Sequence, residues 1–434
     1  MSGMTSTIAK YLQNWWGCLE ESCFAYRNVC APSWRSHGRV FPVGWQLHTM
    51  MDPAARQSKA SDLMGEYARM TGLDPPSASP DRYLWTDAFA VCNYMGMFRE
   101  TGREEPRDLA LRLVRQVHHT LGKHRGDDGR EGWISGLAPE EGELHPTAGG
   151  LRIGKPLPER GVGEPYDPHL EWDQDGQYYH YLTKWMHALA GAGRVTGDPA
   201  YLAWAIELAR VAHARFVYRF PGSSQRRMYW KMSIDLSRPL VSSMGQHDPL
   251  DGLITYYELQ FTAGRPVLSR EIEDMAGILR GISLETDDPL GIGGLLFDAS
   301  RIVQIAVRGG DSPCDLLLPI LTAALSGLET FSRNGTLALP ATHRLAFREL
   351  GLSIGLAGVT MVSEHWEKNL RVARVDGSLA RRARALMKYL PIREDIERFW
   401  LDPAHHLCET WTAHRGINTV MLATSLTPGG FLLM

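Results

Sequence analysis

Residues 180–216 read HYLTKWMHALAGAGRVTGDPAYLAWAIELARVAHARF, and this stretch decides the fold. Its first half is apolar or small around most of a helical circumference, as suits a helix enclosed by neighbours. Thr196, Gly197, Asp198 and Pro199 then stop one helix and start the next. The second half keeps a single apolar stripe at Leu202, Ile206, Ala209 and Phe216, the pattern of a surface helix. The same grammar recurs twice. Residues 84–121, LWTDAFAVCNYMGMFRETGREEPRDLALRLVRQVHHTL, break at Thr101 and Gly102, and Ala110, Leu113, Val114, Val117 and Leu121 form the later stripe. Residues 248–282, DPLDGLITYYELQFTAGRPVLSREIEDMAGILRGI, break at Gly264 and Pro266, with Ile272, Met275, Leu279 and Ile282 behind. A hairpin of this kind cannot bury its own apolar face, so several must pack side by side.

Weaker copies extend the count. LLFDASRIVQIAV pairs with PCDLLLPILTAALSGLETF across GGDSP, and HRLAFRELGLSIGLAGVTMV opens a pair continued through residues 367–389. TWTAHRGINTVMLATSL offers a last inner helix, and helices around residues 6–27 and 56–71 are placed to close a ring. The expected architecture is an all-α closed toroid of about six hairpins, inner helices within outer ones, as a single domain over residues 1–434. An open solenoid shares the local grammar, but it keeps a stricter repeat length than these unequal connections allow.

Composition excludes several classes. The 46 basic and 49 acidic side chains nearly cancel, so no basic field invites nucleic acid. No apolar run of about 18 residues suggests a membrane span, and the N-terminus lacks the basic start and apolar stretch of a secretion signal, which makes the cytoplasm the expected location. Cys18, Cys23 and Cys30 match no common zinc spacing, and with Cys92, Cys314 and Cys408 they read as reduced, packed thiols. Cys408 beside His405 and His406 hints at zinc without a third ligand; His118 with His119 are sequence neighbours that face apart on a helix. Asp127 with Asp128 and Asp287 with Asp288 read as solvated turns. No metal or cofactor is expected.

Function is carried by the connections. Residues 126–176, residues 221–246 with the extended excursion MYWKMSIDLSRPLV, and LPIREDIERFWLDPAHHLCE are all outer-to-inner links, which a toroid gathers at one end. A short β-hairpin is expected there. The inner-helix starts at that end carry Trp85 and Asp87; Glu171, Trp172, Asp173, Asp175, Tyr178, Tyr179 and His180; Gln246, His247, Asp248 and Asp251; Asp298 and Arg301; Thr342 and His343; and Glu409, Trp411, His414 and Arg415. Helix capping accounts for some of these aspartates. It gives no reason for the aromatics and histidines beside them. Rings that stack on the apolar face of a pyranose, with carboxylates, imidazoles and guanidinium groups for its hydroxyls, suit a small-molecule or oligosaccharide ligand.

The rhythm of hairpins resembles that of the six-hairpin carbohydrate-active enzymes, which implies a central cavity and a glycoside hydrolase. LWTDAF, with Asp87, resembles the Trp-Thr-Asp/Gly start of an inner helix in the unsaturated glucuronyl hydrolases. Hydrolysis needs two carboxyl groups flanking the scissile bond. The candidates are Asp173 or Asp175 as acid and Glu409 or Asp248 as base, with Asp87 across the cavity. The remaining rim residues, Trp85, Trp172, Tyr178, Tyr179, His180, His247, Asp251, Trp411, His414 and Arg415, are expected to bind substrate. Toroidal sugar epimerases instead use a histidine pair, for which His180, His247 and His414 are available. A non-catalytic helical scaffold is the third reading; it calls for a concave apolar surface without convergent acids.

Overall fold

The computed structural model describes residues 51–220, 222–223, 225–369 and 377–434. The expected N-terminal helix around residues 6–27, and Cys18, Cys23 and Cys30, lie outside them. Thirteen helices matter for the site: α1 Pro53–Met70, α2 Leu84–Thr101, α3 Glu104–Leu121, α4 Tyr179–Thr196, α5 Pro199–Phe216, α6 Asp248–Ala263, α7 Ser269–Leu279, α8 Pro289–Val307, α9 Leu317–Arg333, α10 Ala346–Asn369, α11 Gly377–Met387, α12 Leu390–Leu401 and α13 Arg415–Leu426.

Local chemistry starts and stops these helices as the sequence implies. Gly102, Gly197 and Gly264 end α2, α4 and α6 in the left-handed region, at φ 67°, 74° and 64°, where a side chain would be strained. Asp198 caps α5 by accepting the Ala200 N–H at 2.9 Å, with Pro199 in the first turn. Burial then separates two layers. Every residue of α2 from Leu84 to Met97 is buried, whereas α3 is buried only at Ala110, Leu113, Val114, Val117, His118 and Leu121.

The inner layer closes. Going round, α2 packs on α4, α4 on α6, α6 on α8, α8 on α10, α10 on α13, and α13 returns to α2. Outside them lie α3 on α2, α5 on α4, α7 on α6, α9 on α8, and α11 and α12 on α10. The sixth pair joins the two ends of the described chain, because α1 packs on α13. The fold is therefore an all-α six-hairpin toroid rather than an open row.

Three details depart from expectation. LPIREDIERFWLDPAHHLCE is not a bare connection, since α12 occupies Leu390–Leu401 within it. The excursion between α5 and α6 makes two small sheets instead of one hairpin. Strands β2 (Val217–Arg219) and β3 (Arg226–Met228) pair antiparallel, while β4 (Lys231–Met232) lies between β1 (Gln177–Tyr178) and β5 (Pro239–Val241). By length and composition, Pro289–Val307 and Cys314–Arg333 are apolar enough to cross a membrane, with mean hydropathies of 1.5 and 1.4. The first of these is the inner helix α8, and enclosure by its neighbours explains its apolarity.

Candidate active site

A cavity of about 1330 Å³ opens at the end where the inner helices begin. Its wall is built from the first turns of α2, α4, α6, α8, α10 and α13, and its rim from the connections at residues 154–173, 241–247 and 409–414. Residues remote along the chain meet here because every outer-to-inner link emerges at this end.

One wall is aromatic. Tyr178 and Trp230 approach to 4.8 Å between ring centroids, and the His180 ring lies parallel to Trp230 at 6.2 Å. Trp85 meets Tyr181 at 5.4 Å and His180 at 6.0 Å. The Tyr83 and Tyr181 hydroxyls share a hydrogen bond of 2.5 Å. On the rim the Lys155 ammonium sits 4.3 Å above the Trp172 ring, and burial lowers its pKa to about 8. Fixed ring faces beside polar hydroxyls are what a sugar's two kinds of surface require.

The wall beside it is acidic. Asp251, in the first turn of α6, accepts from Lys184 Nζ at 2.6 Å, from Arg301 at 2.9 Å and from the Thr183 hydroxyl. Burial opposes its charge, yet the two cations and the hydroxyl hold its pKa down to about 2. The guanidinium of Arg301 also reaches Asp298 at 2.5 Å and Glu258 at 3.3 Å. Asp298 shares this cation with Asp251 and has fewer donors, so burial pushes its pKa up to about 6. Below, Glu258 accepts from His187 at 2.8 Å, continuing the ionic chain into the core.

Asp248 is the exception within this network. It opens α6, where the helix dipole favours an anion. Burial and the charge on Asp251 outweigh that, and its pKa rises to about 7. Its Oδ2 is buried and accepts no hydrogen bond, and its Oδ1 lies 3.8 Å from His180 Nδ1. This carboxyl lines the cavity and, with its pKa raised to about 7, is partly protonated near neutral pH. The imidazoles nearby are neutral: burial lowers the pKa of His180 to about 3 and depresses His247 and His414 as well.

The other sequence candidates divide by position. Trp85, Asp87, Trp172, Asp173, Tyr178, His180, His247, Asp248, Asp251, Glu409, His414 and Arg415 all line the cavity. Asp173, Glu409 and Arg415 are exposed at its rim, where Arg415 pairs with Glu66 at 2.6 Å. Asp87 is buried; it accepts from the Tyr67 hydroxyl and the Tyr83 N–H and lies 3.5 Å from Arg82.

Three expected site residues lie elsewhere. Asp175 has no exposure, and its carboxylate is enclosed by Arg152 at 2.9 Å, Arg125 at 3.3 Å and the Gly154 and Gly176 N–H groups at 3.0 Å. It pins the long connection and does not face the cavity. Tyr179 is turned between layers, its hydroxyl donating to Tyr256 at 2.9 Å and its ring edge-on to Phe216. Trp411 packs behind the rim against Trp400 and His406. His405 and His406 bond the backbone carbonyls of Phe399 and Trp400, and the Cys408 thiol bonds the carbonyl of His405, which accounts for the apparent zinc cluster. Among the described residues no three His, Cys, Asp or Glu side chains are grouped to hold a metal ion.

Sequence reading missed Tyr83, Lys155, Tyr181, Lys184 and Trp230, all of which line the cavity. Lys184 was recoverable, since it lies four residues beyond His180 on the same helix. Lys155 and Trp230 lie outside the helices, where no periodicity marks a side chain's direction.

No protein-family profile matches the chain, and no curated protein matches it. Among solved structures, it is similar to the GH76A alpha-1,6-mannanase from Salegentibacter sp. HEL1_6, with 10% identity, 87% of this chain and 99% of that one covered, and a TM-score of 0.47. It is also similar to a sugar epimerase from a ruminal bacterium, at 12% identity, coverages of 79% and 87% and a TM-score of 0.45. A third is the cellobiose 2-epimerase from Spirochaeta thermophila DSM 6192, at 13% identity, coverages of 79% and 98% and a TM-score of 0.43.

Proposed function

We propose that this chain is a carbohydrate-active enzyme that hydrolyses a glycosidic bond, with Asp248 as the proton donor. The observation that carries the reading is the state of that carboxyl: buried on the cavity wall, one oxygen free of partners, its pKa raised to about 7 and an aromatic wall beside it. A general acid works best when its pKa lies near the operating pH. Neighbouring carboxyl groups whose surroundings drive their pKa values apart, here Asp248 up and Asp251 down, are the recurrent arrangement of acid–base sites. Asp251 keeps its negative charge and thereby keeps the proton on Asp248. The second carboxyl group, which activates water or attacks the sugar, comes from the exposed rim residues Glu409 or Asp173. Trp85, Trp172, Tyr178 and Trp230 supply stacking faces. Lys184 and Arg301 fix the electrostatics and take no part in bond cleavage.

The three neutral imidazoles lining the cavity support a second reading, proton exchange beside a sugar carbonyl. Proton NMR of a panel of glycosides and oligosaccharides incubated with the protein separates the two. Hydrolysis generates new reducing-end signals, lost in Asp248→Asn and in Glu409→Gln or Asp173→Asn. Epimerisation generates an isomer without a new reducing end and is lost in His180→Ala, His247→Ala or His414→Ala. An Asp248→Asn variant that hydrolyses as fast as the parent overturns the assignment.

A further inference from the structure

The floor of the cavity comes from a part of the chain that belongs to no hairpin. After α13, residues 428–434 turn into the axis of the ring, with a short helix at Gly429–Leu432. Phe431 is stacked between Phe89 of α2 and Phe297 of α8, at 4.2 and 4.4 Å between centroids. The main chain on either side is anchored from three inner helices. Arg99 donates to the Gly429 carbonyl at 2.8 Å, His187 bonds the Phe431 carbonyl at 2.8 Å, and Gln304 donates to the Leu432 carbonyl at 2.8 Å. The segment approaches α2 so closely that a β-carbon on Gly96 would stand 2.6 Å from Gly430 Cα, and one on Gly430 would stand 2.5 Å from the Cys92 carbonyl oxygen.

This segment divides the axial space. Phe431 faces the large cavity above, together with Trp85, Phe89 and Lys184. Gly430, Leu433 and Met434 face a separate cavity of about 320 Å³ below, whose other walls are the later turns of the same two helices, at Cys92 and Met95 on α2 and Gly191 and Arg194 on α4. One groove between α2 and α4 thus serves both compartments, and residues 428–434 are what interrupts it.

We infer that residues 428–434 are a plug that makes the cavity a blind pit ending at Phe431, so that the protein takes the free end of a saccharide chain or a short saccharide and cannot seat the middle of a long one. The inference rests on the saccharide reading above and adds the mode of attack. Both faces of Phe431 are covered by Phe89 and Phe297, so the ring closes the pit with its edge, and an inner unit of a long chain would need a way out that the floor does not leave.

The test is calorimetric stoichiometry on the full chain. Short linear oligosaccharides of glucose, mannose and galactose are titrated first, to find a sugar that binds. The long polysaccharide of the same sugar is titrated next. A blind pit predicts one protein bound per accessible chain end, unchanged as the polymer is lengthened. Stoichiometry that rises in proportion to polymer length overturns the plug while leaving the saccharide reading intact. Binding of none of these sugars overturns the saccharide reading and the inference with it. Phe431→Ala removes the floor ring but keeps the anchored carbonyls, and it is expected to bind a longer stretch of the oligosaccharide series than the parent. An identical length dependence in the two proteins contradicts a role for Phe431 as the floor.

Discussion

Arg301 is a residue whose loss the structure makes costly. It has no exposure, and its guanidinium serves Asp251, Asp298, Glu258 and the Thr255 hydroxyl at once. Arg301→Gln leaves a cluster of buried carboxyl groups with only Lys184, Arg194 and His187 for compensation. Breaking one buried ion pair typically costs about 3–5 kcal/mol. At ~2.1 cal/mol/K of unfolding entropy per residue, a chain of 434 residues has about 0.9 kcal/mol/K. The predicted fall in Tm is therefore about 3–6 °C. Its pH dependence carries the stronger test. Asp251 and Glu258 are held below their ordinary values in part by Arg301, so the stability they supply is present above the unfolded carboxylate range of about 4 and is lost as pH falls through their folded values. The gap between parent and variant should be widest at neutral pH and should narrow below about pH 4. Differential scanning calorimetry across that range measures it. A Tm change under about 1 °C at neutral pH, or a gap that does not vary with pH, would refute the reasoning.

Four further outcomes follow from the same geometry. Asp248→Asn should lower kcat by roughly 10²–10⁴-fold, and activity of the parent should decline as pH rises through about 7, where Asp248 loses its proton; initial rates across a pH series check both. Asp175→Asn should lower thermal stability by about 3 kcal/mol, because Arg125 and Arg152 lose their buried partner, with saccharide affinity of the folded protein unchanged by calorimetry. Trp230→Ala should weaken saccharide binding by about 1 kcal/mol, roughly fivefold, read by titration against the parent. Gly96→Ala should destabilise by about 1–3 kcal/mol through overpacking, since its new methyl meets backbone of Gly430 rather than a side chain that can move, and a denaturant melt measures it.

The ring was legible in the sequence because its determinants are periodic. Full-circumference apolarity marked the inner helices, single stripes marked the outer ones, and Gly102, Gly197 and Gly264 marked the turns. What was illegible was direction. Tyr178, Tyr179 and His180 are consecutive, yet α4 begins at Tyr179, so His180 faces the cavity while Tyr179 turns to Tyr256. Asp175 precedes Gly176, whose φ of 145° belongs to a connection of no regular period, and the two arginines that claim the carboxylate lie 23 and 50 positions earlier. The sequence offers Asp248 as a base, whereas its raised pKa favours the proposed role of acid; that pKa depends on burial by other helices and on Asp251, neither of which a chain position reveals. The placement of residues 428–434 on the axis was illegible because they carry no repeat.

Protonation of the Asp248 carboxyl decides the proposed chemistry. Carbon-13 NMR of the protein labelled at aspartate carboxyls, compared with Asp248→Asn to assign the signal, titrates that group directly. A midpoint near pH 7 is the predicted result, and a midpoint near the ordinary aspartate value of about 4 would contradict the proposed proton donor.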